Sequence, residues 1–284
     1  VAGRTFVRLG VSTFPTEDSI DVRALGRALE ERGFESLFVP EHTHIPVNRL
    51  TPNPGGGDIP EEFRHTPDPF VVLGAVAACT ERLLLGTGIC LVVERDPIVT
   101  AKEVATVDLL SGGRFLFGVG GGWNREEMEN HGTSFADRFD LLRERVLAMK
   151  ALWTTEEAEF HGTWVDFDPV WQWPKPVQSP HPPVILAGNG PKSIERAAEW
   201  ADGWMPIAGR GDTADQVDAL QKAAVDRGRG PLPVTVFGAR PKPDVLSGYA
   251  AAGVERALLA LPSAPAADTL RRLDRYAELI DTLA

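Results

Sequence analysis

The chain predicts an α/β fold: a (β/α)8, or TIM, barrel built by residues 1–284 as one domain, with insertions at the C-terminal face, where the strands end. Three patterns carry this expectation. First, a helix-like stretch stops at glycine and an apolar, β-rich run follows at once in RGFESLFV from Arg32, SGGRFLFGV from Ser111, ADGWMPI from Ala201 and AGVERALLAL from Ala252. Glycine suits the left-handed residue that ends a helix, and an unbroken apolar run suits a strand covered on both faces. Second, the stretches between these runs carry one apolar face at helical spacing. Third, eight strand-like runs alternate with helical segments, the order of a barrel; a doubly wound sheet shares that alternation and is the other arrangement open to it.

The strands are expected at residues 6–12, 36–39, 83–91, 115–119, 184–187, 203–206, 234–237 and 256–260. The helical faces are Val22, Leu25 and Leu29; Leu142, Val146, Met149 and Trp153; and Leu270, Leu273, Ala277 and Ile280. Asp68-Pro69 and Asp96-Pro97 read as an N-cap followed by proline at the first helical position, and so begin two more helices. Two irregular stretches interrupt the alternation. Residues 40–67 contain NPGGG, and residues 154–183 contain AEFHGTWVDF, which alternates like a hairpin. Insertions after barrel strands form the active-site face, so both are expected to shape a substrate pocket, with Trp164, Trp171 and Trp173 suited to an apolar or aromatic ligand.

Composition narrows the function classes. A formal charge of -11 over 284 residues repels a phosphate backbone or an anionic membrane, so neither nucleic acid nor membrane is an expected partner. The longest apolar run, residues 83–93, is too short to span a bilayer, and the first residues lack the pattern of a signal peptide; a cytoplasmic location is expected. Cys79 and Cys90 stand in apolar contexts without metal-like spacing and read as reduced thiols.

Four motifs carry candidate chemistry. FVPEHTHIP places Glu41, His42 and His44 just after the second strand, where such a barrel holds its reactive groups. A metal site, a proton-transfer site and a plain polar loop are all compatible with it. A metal would need further ligands from later strand ends, and the remaining histidines, His65, His131, His161 and His181, stand at none; no metal is expected. Proton transfer suits a histidine that Glu41 tunes, because imidazole titrates near neutrality. LLLGTGICLVV puts Gly86 and Gly88 inside a strand, which marks a bulge or a close approach by ligand or backbone. FGVGGGW ends the fourth strand with a bare backbone able to admit a flat ring and with Trp123 as a wall; its glycine spacing is not that of the dinucleotide fold. VILAGNGPKS ends a strand in Ala-Gly-Asn-Gly and starts a helix at Pro191, which makes a phosphate site from backbone N–H groups, without the spacing of an ATP-binding loop.

In order, EHTHIP, LLLGTGI, DPIVTAKEVATVDLLSGGR, FGVGGGWNREEM, MKALW and PPVILAGNGPKS followed by AEWADGW resemble the luciferase-like monooxygenase family, and within it the branch of oxidoreductases that use the deazaflavin coenzyme F420. The resemblance covers roughly residues 8–210. It implies a tricyclic ring over the C-terminal mouth of the barrel, a non-prolyl cis peptide at Gly88-Ile89 supporting the ring beside Thr87, and His42 with Glu41 at the reactive ring edge. It further implies that Gly120, Gly121, Gly122 and Trp123 line the ring or its side chain, and that Ala187, Gly188, Asn189 and Gly190 hold the phosphate. Arg210 is placed to meet an anionic cofactor tail or substrate. F420 is the expected cofactor and FMN the alternative; the substrate is a small organic molecule and the protein a homodimer.

Overall fold

A computed structural model describes residues 6–283. In chain order its elements are β1 (Arg8–Ser12), α1 (Val22–Glu31), β2 (Ser36–Val39), α2 (Glu62–His65), α3 (Pro69–Ala77), β3 (Leu84–Thr87), a 3-10 turn (Val92–Glu94), α4 (Pro97–Ser111), β4 (Phe115–Val119), α5 (Arg125–Asn130), α6 (Arg138–Thr154), β5 (Glu157–His161), β6 (Asp166–Trp171), β7 (Val184–Ala187), α7 (Pro191–Trp200), β8 (Gly203–Met205), α8 (Thr213–Val225), β9 (Thr235–Ala239), α9 (Pro243–Ala251), β10 (Arg256–Ala260) and α10 (Ala266–Leu283). Eight strands form one parallel sheet in the order β8-β7-β4-β3-β2-β1-β10-β9. Bridges Trp204 to Val234 and Ile207 to Phe237 bring its two edges together, so the sheet is a barrel.

The period of two along each strand divides the core in two. In β2, Phe38 points into the barrel, where it packs with Leu116, Ile185, Met205 and Leu258. Leu37 and Val39 point outward, with Phe115 and Phe117 of β4, into the larger core between sheet and helices. The helix starts expected from Asp-Pro are present: the Asp68 carboxylate accepts from the N–H groups of Phe70 and Val71, and that of Asp96 from Val99. Gly33, Gly112 and Gly253 adopt the left-handed backbone expected of helix-ending glycines. Gly203 does not. It lies within β8, where an added Cβ would stand 3.2 Å from the Pro233 carbonyl, so close packing of neighbouring strands explains that glycine.

Two expectations are corrected. The third strand stops at Thr87; the Gly88–Ile89 peptide is cis, and Cys90 rejoins the sheet only by a bridge to Val119. The second insertion follows α6 and precedes β7, and its hairpin of β5 and β6 lies along the outer helices: Gln172 donates to the Ile98 carbonyl at 2.9 Å and the Glu144 carboxylate accepts from Val165 N–H at 2.7 Å. Trp164, Trp171 and Trp173 are therefore far in topology from the mouth and more than two-fifths exposed, at 46%, 75% and 58%. The first insertion does follow a strand end, and it contributes Phe63 to the mouth.

Candidate functional site

At the C-terminal mouth lies a cavity of about 530 Å³, a volume suited to a small-molecule ligand. The ends of β2, β3, β4 and β7 build it, through Glu41 and His42, Gly88 and Ile89, Gly120 to Trp123, and Ala187 to Asn189. Phe14, Phe63, Phe139 and Phe237 add apolar walls.

The glycines of this wall are set by packing. A Cβ on Gly86 would stand 2.5 Å from the Phe38 ring, so the partner this glycine accommodates is a core side chain. One on Gly121 would meet the Phe139 ring at 2.7 Å, and one on Gly122 the end of Met128 at 2.5 Å. Gly120 faces Ile89, whose side chain would lie 3.1 Å from an added Cβ. The result is a smooth backbone surface with Ile89 seated in it. Thr87 lies outside the lining; its buried hydroxyl donates to the Gly118 carbonyl at 2.7 Å and ties β3 to β4.

His42 is stacked on Phe63 at 5.0 Å between centroids and meets Trp123 edge-on at 5.8 Å. Its Nδ1 lies 2.8 Å from Glu127 Oε2. A carboxylate only accepts, so Nδ1 carries hydrogen and Nε2 is the nitrogen left for the cavity. Glu127 is fixed in turn: Oε1 accepts from Thr43 N–H at 3.0 Å, and Oε2 accepts from Asn124 Nδ2 at 3.3 Å. The side chains are 6% and 1% exposed, so this imidazole–carboxylate pair works out of bulk water. Glu127 sits in the first turn of α5, in the NREEMEN stretch that follows the glycines.

The Glu41 carboxylate is bonded elsewhere than to the neighbouring His42. Its Oε2 accepts from Leu91 N–H at 2.7 Å and its Oε1 from Arg95 Nε at 2.6 Å, so the adjacent carboxylate is turned away into an ion cluster. Arg95 also binds Glu103 at 3.0 Å and contacts Asp68. His44 is turned from the cavity as well, with Nδ1 2.9 Å from the Thr43 hydroxyl.

The far end of the cavity is cationic. Gly190 begins α7 without a capping side chain, and Lys192, Ser193 and Arg196 of that helix line the cavity. Trp204 Nε1 donates to Ser193 Oγ at 3.0 Å, which leaves the serine's own hydrogen to donate elsewhere. The Asn189 side chain is tied to both backbone groups of Ile207 at 3.3 Å and so pins the loop. Arg196 and Arg138 lie 4.0 and 4.4 Å from the centre of the Phe139 ring, and Arg125 and Arg138 lie 4.8 and 3.8 Å from that of Phe135. Burial and the charges of Arg196 and Arg125 lower the Arg138 pKa, the sign of cations crowded without a neutralising acid. Arg210 lies elsewhere: it donates to the Pro54 carbonyl at 3.0 Å and is absent from the lining.

Sequence reasoning thus found the strand-end residues and missed Glu127, Lys192, Ser193, Arg196 and Arg138. The signal for Glu127 was an acid in the first turn of a short helix behind a glycine run; for Arg138 it was arginine interleaved with phenylalanine in SFADRF. Among the described residues, no group of three or more His, Cys, Asp or Glu side chains is arranged to hold a metal ion, and no helix is long and apolar enough to cross a membrane.

A parallel barrel whose strand ends form a glycine-walled cavity, with a buried imidazole–carboxylate pair and a helix N-terminus with cations among its surroundings, defines a class: barrels with a small-molecule site at the C-terminal mouth. The chain belongs to the luciferase-like monooxygenase family, whose model matches residues 5–241. It is 42% identical to the uncharacterized protein Rv0953c of Mycobacterium tuberculosis over 273 residues, 94% of this chain and 96% of that one. It is 27% identical to the F420-dependent hydroxymycolic acid dehydrogenase of the same organism over 220 residues, 76% of this chain and 56% of that one. Among solved structures, the monooxygenase RslO1 from Streptomyces bottropensis superposes with a TM-score of 0.81 at 22% identity, covering 98% of this chain and 100% of that one.

Proposed function

We propose that the protein is an F420-dependent oxidoreductase acting on a small organic substrate. The observation that carries this reading is the enclosed His42–Glu127 pair at one end of a cavity whose other walls are bare backbone and apolar rings. Ile89, Gly120 and Ala187 would lie against the ring, and Ser193, Lys192 and the start of α7 would hold the phosphate. Bound F420 supplies two-electron hydride transfer. The chain's own part is to fix the reacting partners, exclude water, and move one proton at His42 Nε2. Glu127 holds the imidazole in the tautomer that leaves Nε2 available and stabilises it when charged.

The second reading is an FMN-dependent monooxygenase using reduced flavin and oxygen, favoured by the likeness in fold to RslO1. The guanidinium rim supports F420 over it. FMN ends at its phosphate, whereas F420 continues beyond a phosphate into a chain of carboxylates, and Arg125, Arg138 and Arg196 cluster around Phe135 and Phe139 near that end. Titrating the apoprotein with F420 and FMN in parallel, read by fluorescence, tests the choice. F420 should bind at least tenfold more tightly; the reverse order would move the assignment to FMN.

A further inference from the structure

We propose that Glu94 is the proton-carrying link between the enclosed His42–Glu127 pair and solvent at His131 and His44. The inference rests on the reading that His42 handles a proton, and it answers what that reading leaves open: how a pair so buried exchanges protons once a ligand covers its cavity face.

Glu94 ends the 3-10 turn behind the site, with its side chain 1% exposed. Both of its carboxyl oxygens are buried without a well-formed hydrogen bond, and the Thr43 side chain acts on them only as a weak donor. A buried polar group left in that state needs an explanation, because the desolvation is uncompensated. The groups acting on it come from every neighbouring segment. Glu127 of α5 and Glu41 after β2 are both carboxylates that oppose its ionisation, and Arg95 is the adjacent cation. Arg95 offers little relief, since its N–H groups are committed to Glu41, Glu103 and Asp68. Burial, with Glu127 and Glu41, pushes the Glu94 carboxyl up to about 9, so it keeps its proton at neutral pH.

Its outward neighbour is His131, whose Nε2 lies 3.7 Å from Glu94 Oε2. The same nitrogen lies 2.7 Å from the Thr43 hydroxyl, which is 2.9 Å from His44 Nδ1. Thr43 also donates its N–H to Glu127, so one residue holds the inner pair and the outer imidazoles in fixed relation. The proton count closes. When His42 gives up a proton, the pair is one short; Glu94 supplies it, His131 restores Glu94, and water restores His131. One proton crosses to the Glu127 side of the pair, and Glu94 and His131 end as they began; oxidation of a substrate runs the same path in reverse.

The test uses the apoprotein labelled with 15N-histidine, where exchange with water of the His42 Nδ1–H, the one that faces Glu127 rather than the open cavity, is read by NMR without any cofactor. Glu94→Gln keeps shape and neutrality but carries no exchangeable acid proton, and it should slow that exchange at least tenfold. Glu94→Asp, which retains an acid, should recover most of the rate. Exchange within twofold of the unmodified protein in Glu94→Gln would overturn the proposal, and so would equal slowing in Glu94→Asp, which would mark a packing effect. His42→Ala with undiminished turnover would remove the redox role of His42 yet leave the exchange result standing, so the two failures are distinguishable.

Discussion

Two buried glutamates near the mouth, Glu41 and Glu127, teach opposite lessons. Glu41 stands beside His42 in the chain, yet its charge is spent on Arg95 and Leu91 N–H, within a cluster that also draws in Glu103 and Asp68. Glu127 is 85 residues from His42 and faces it at 2.8 Å, with two neutral N–H donors and no cation. In the first cluster a guanidinium is paired directly with the Glu41 charge, and its contacts hold the loops after β2 and β3 together. The second sets an imidazole against a carboxylate whose other hydrogen-bond donors are neutral N–H groups, an arrangement suited to acid–base chemistry.

The contrast can be broken at either end. The largest effect is expected from His42→Ala, which should lower turnover by roughly a thousandfold while F420 affinity stays within a few-fold, measured by steady-state kinetics over a panel of small organic substrates and by fluorescence titration. Next, Arg95→Met should destabilise the fold by about 3 kcal/mol, because it strands the Glu41 charge in the interior; a melting temperature equal to the unmodified protein would undo the structural reading of that cluster. Glu127→Gln should behave differently, lowering turnover by about a hundredfold with a nearly unchanged melting temperature, since shape and most hydrogen bonds survive.

A separate effect sharpens the comparison through pH. Burial and the neighbouring Glu127 and Glu41 push the Glu94 carboxyl from its ordinary 4.5 up to about 9 in the folded protein, so between those values the folded protein binds the extra proton and stability falls as pH rises, levelling off above about 9. The slope from this group is at most ~1.4 kcal/mol per pH unit. Glu94→Gln removes it, so the variant should melt higher than the unmodified protein at pH 8 and converge with it near pH 5, as thermal denaturation across pH would record.

Much of this was legible in the chain because it depends on neighbours in sequence. Asp-Pro pairs start α3 and α4, left-handed glycines end helices, and the runs at 36–39, 115–119, 184–187 and 256–260 are strands at those bounds. The lining glycines and His42 were legible for the same reason: each follows a strand, and strand ends of a parallel barrel share one face. Glu127 was not, nor the stacking of Arg196 on Phe139, because both depend on which side chains a closed sheet brings together from distant segments. The tryptophan-rich hairpin erred in the same way. Its alternation was readable, but its place outside α4 and α6 was fixed by its following a helix.

The sequence by itself therefore determined the alternation of strands and helices, the face on which the site lies, and the family, because backbone preference and apolar period act over a few residues. Only the tertiary structure decided that Glu127, rather than Glu41, meets His42, that the glycines serve the protein's own packing, and that the cations gather around Phe139. Charge pairing and burial are settled by whichever groups the closed barrel makes neighbours, and a linear string does not carry that distance.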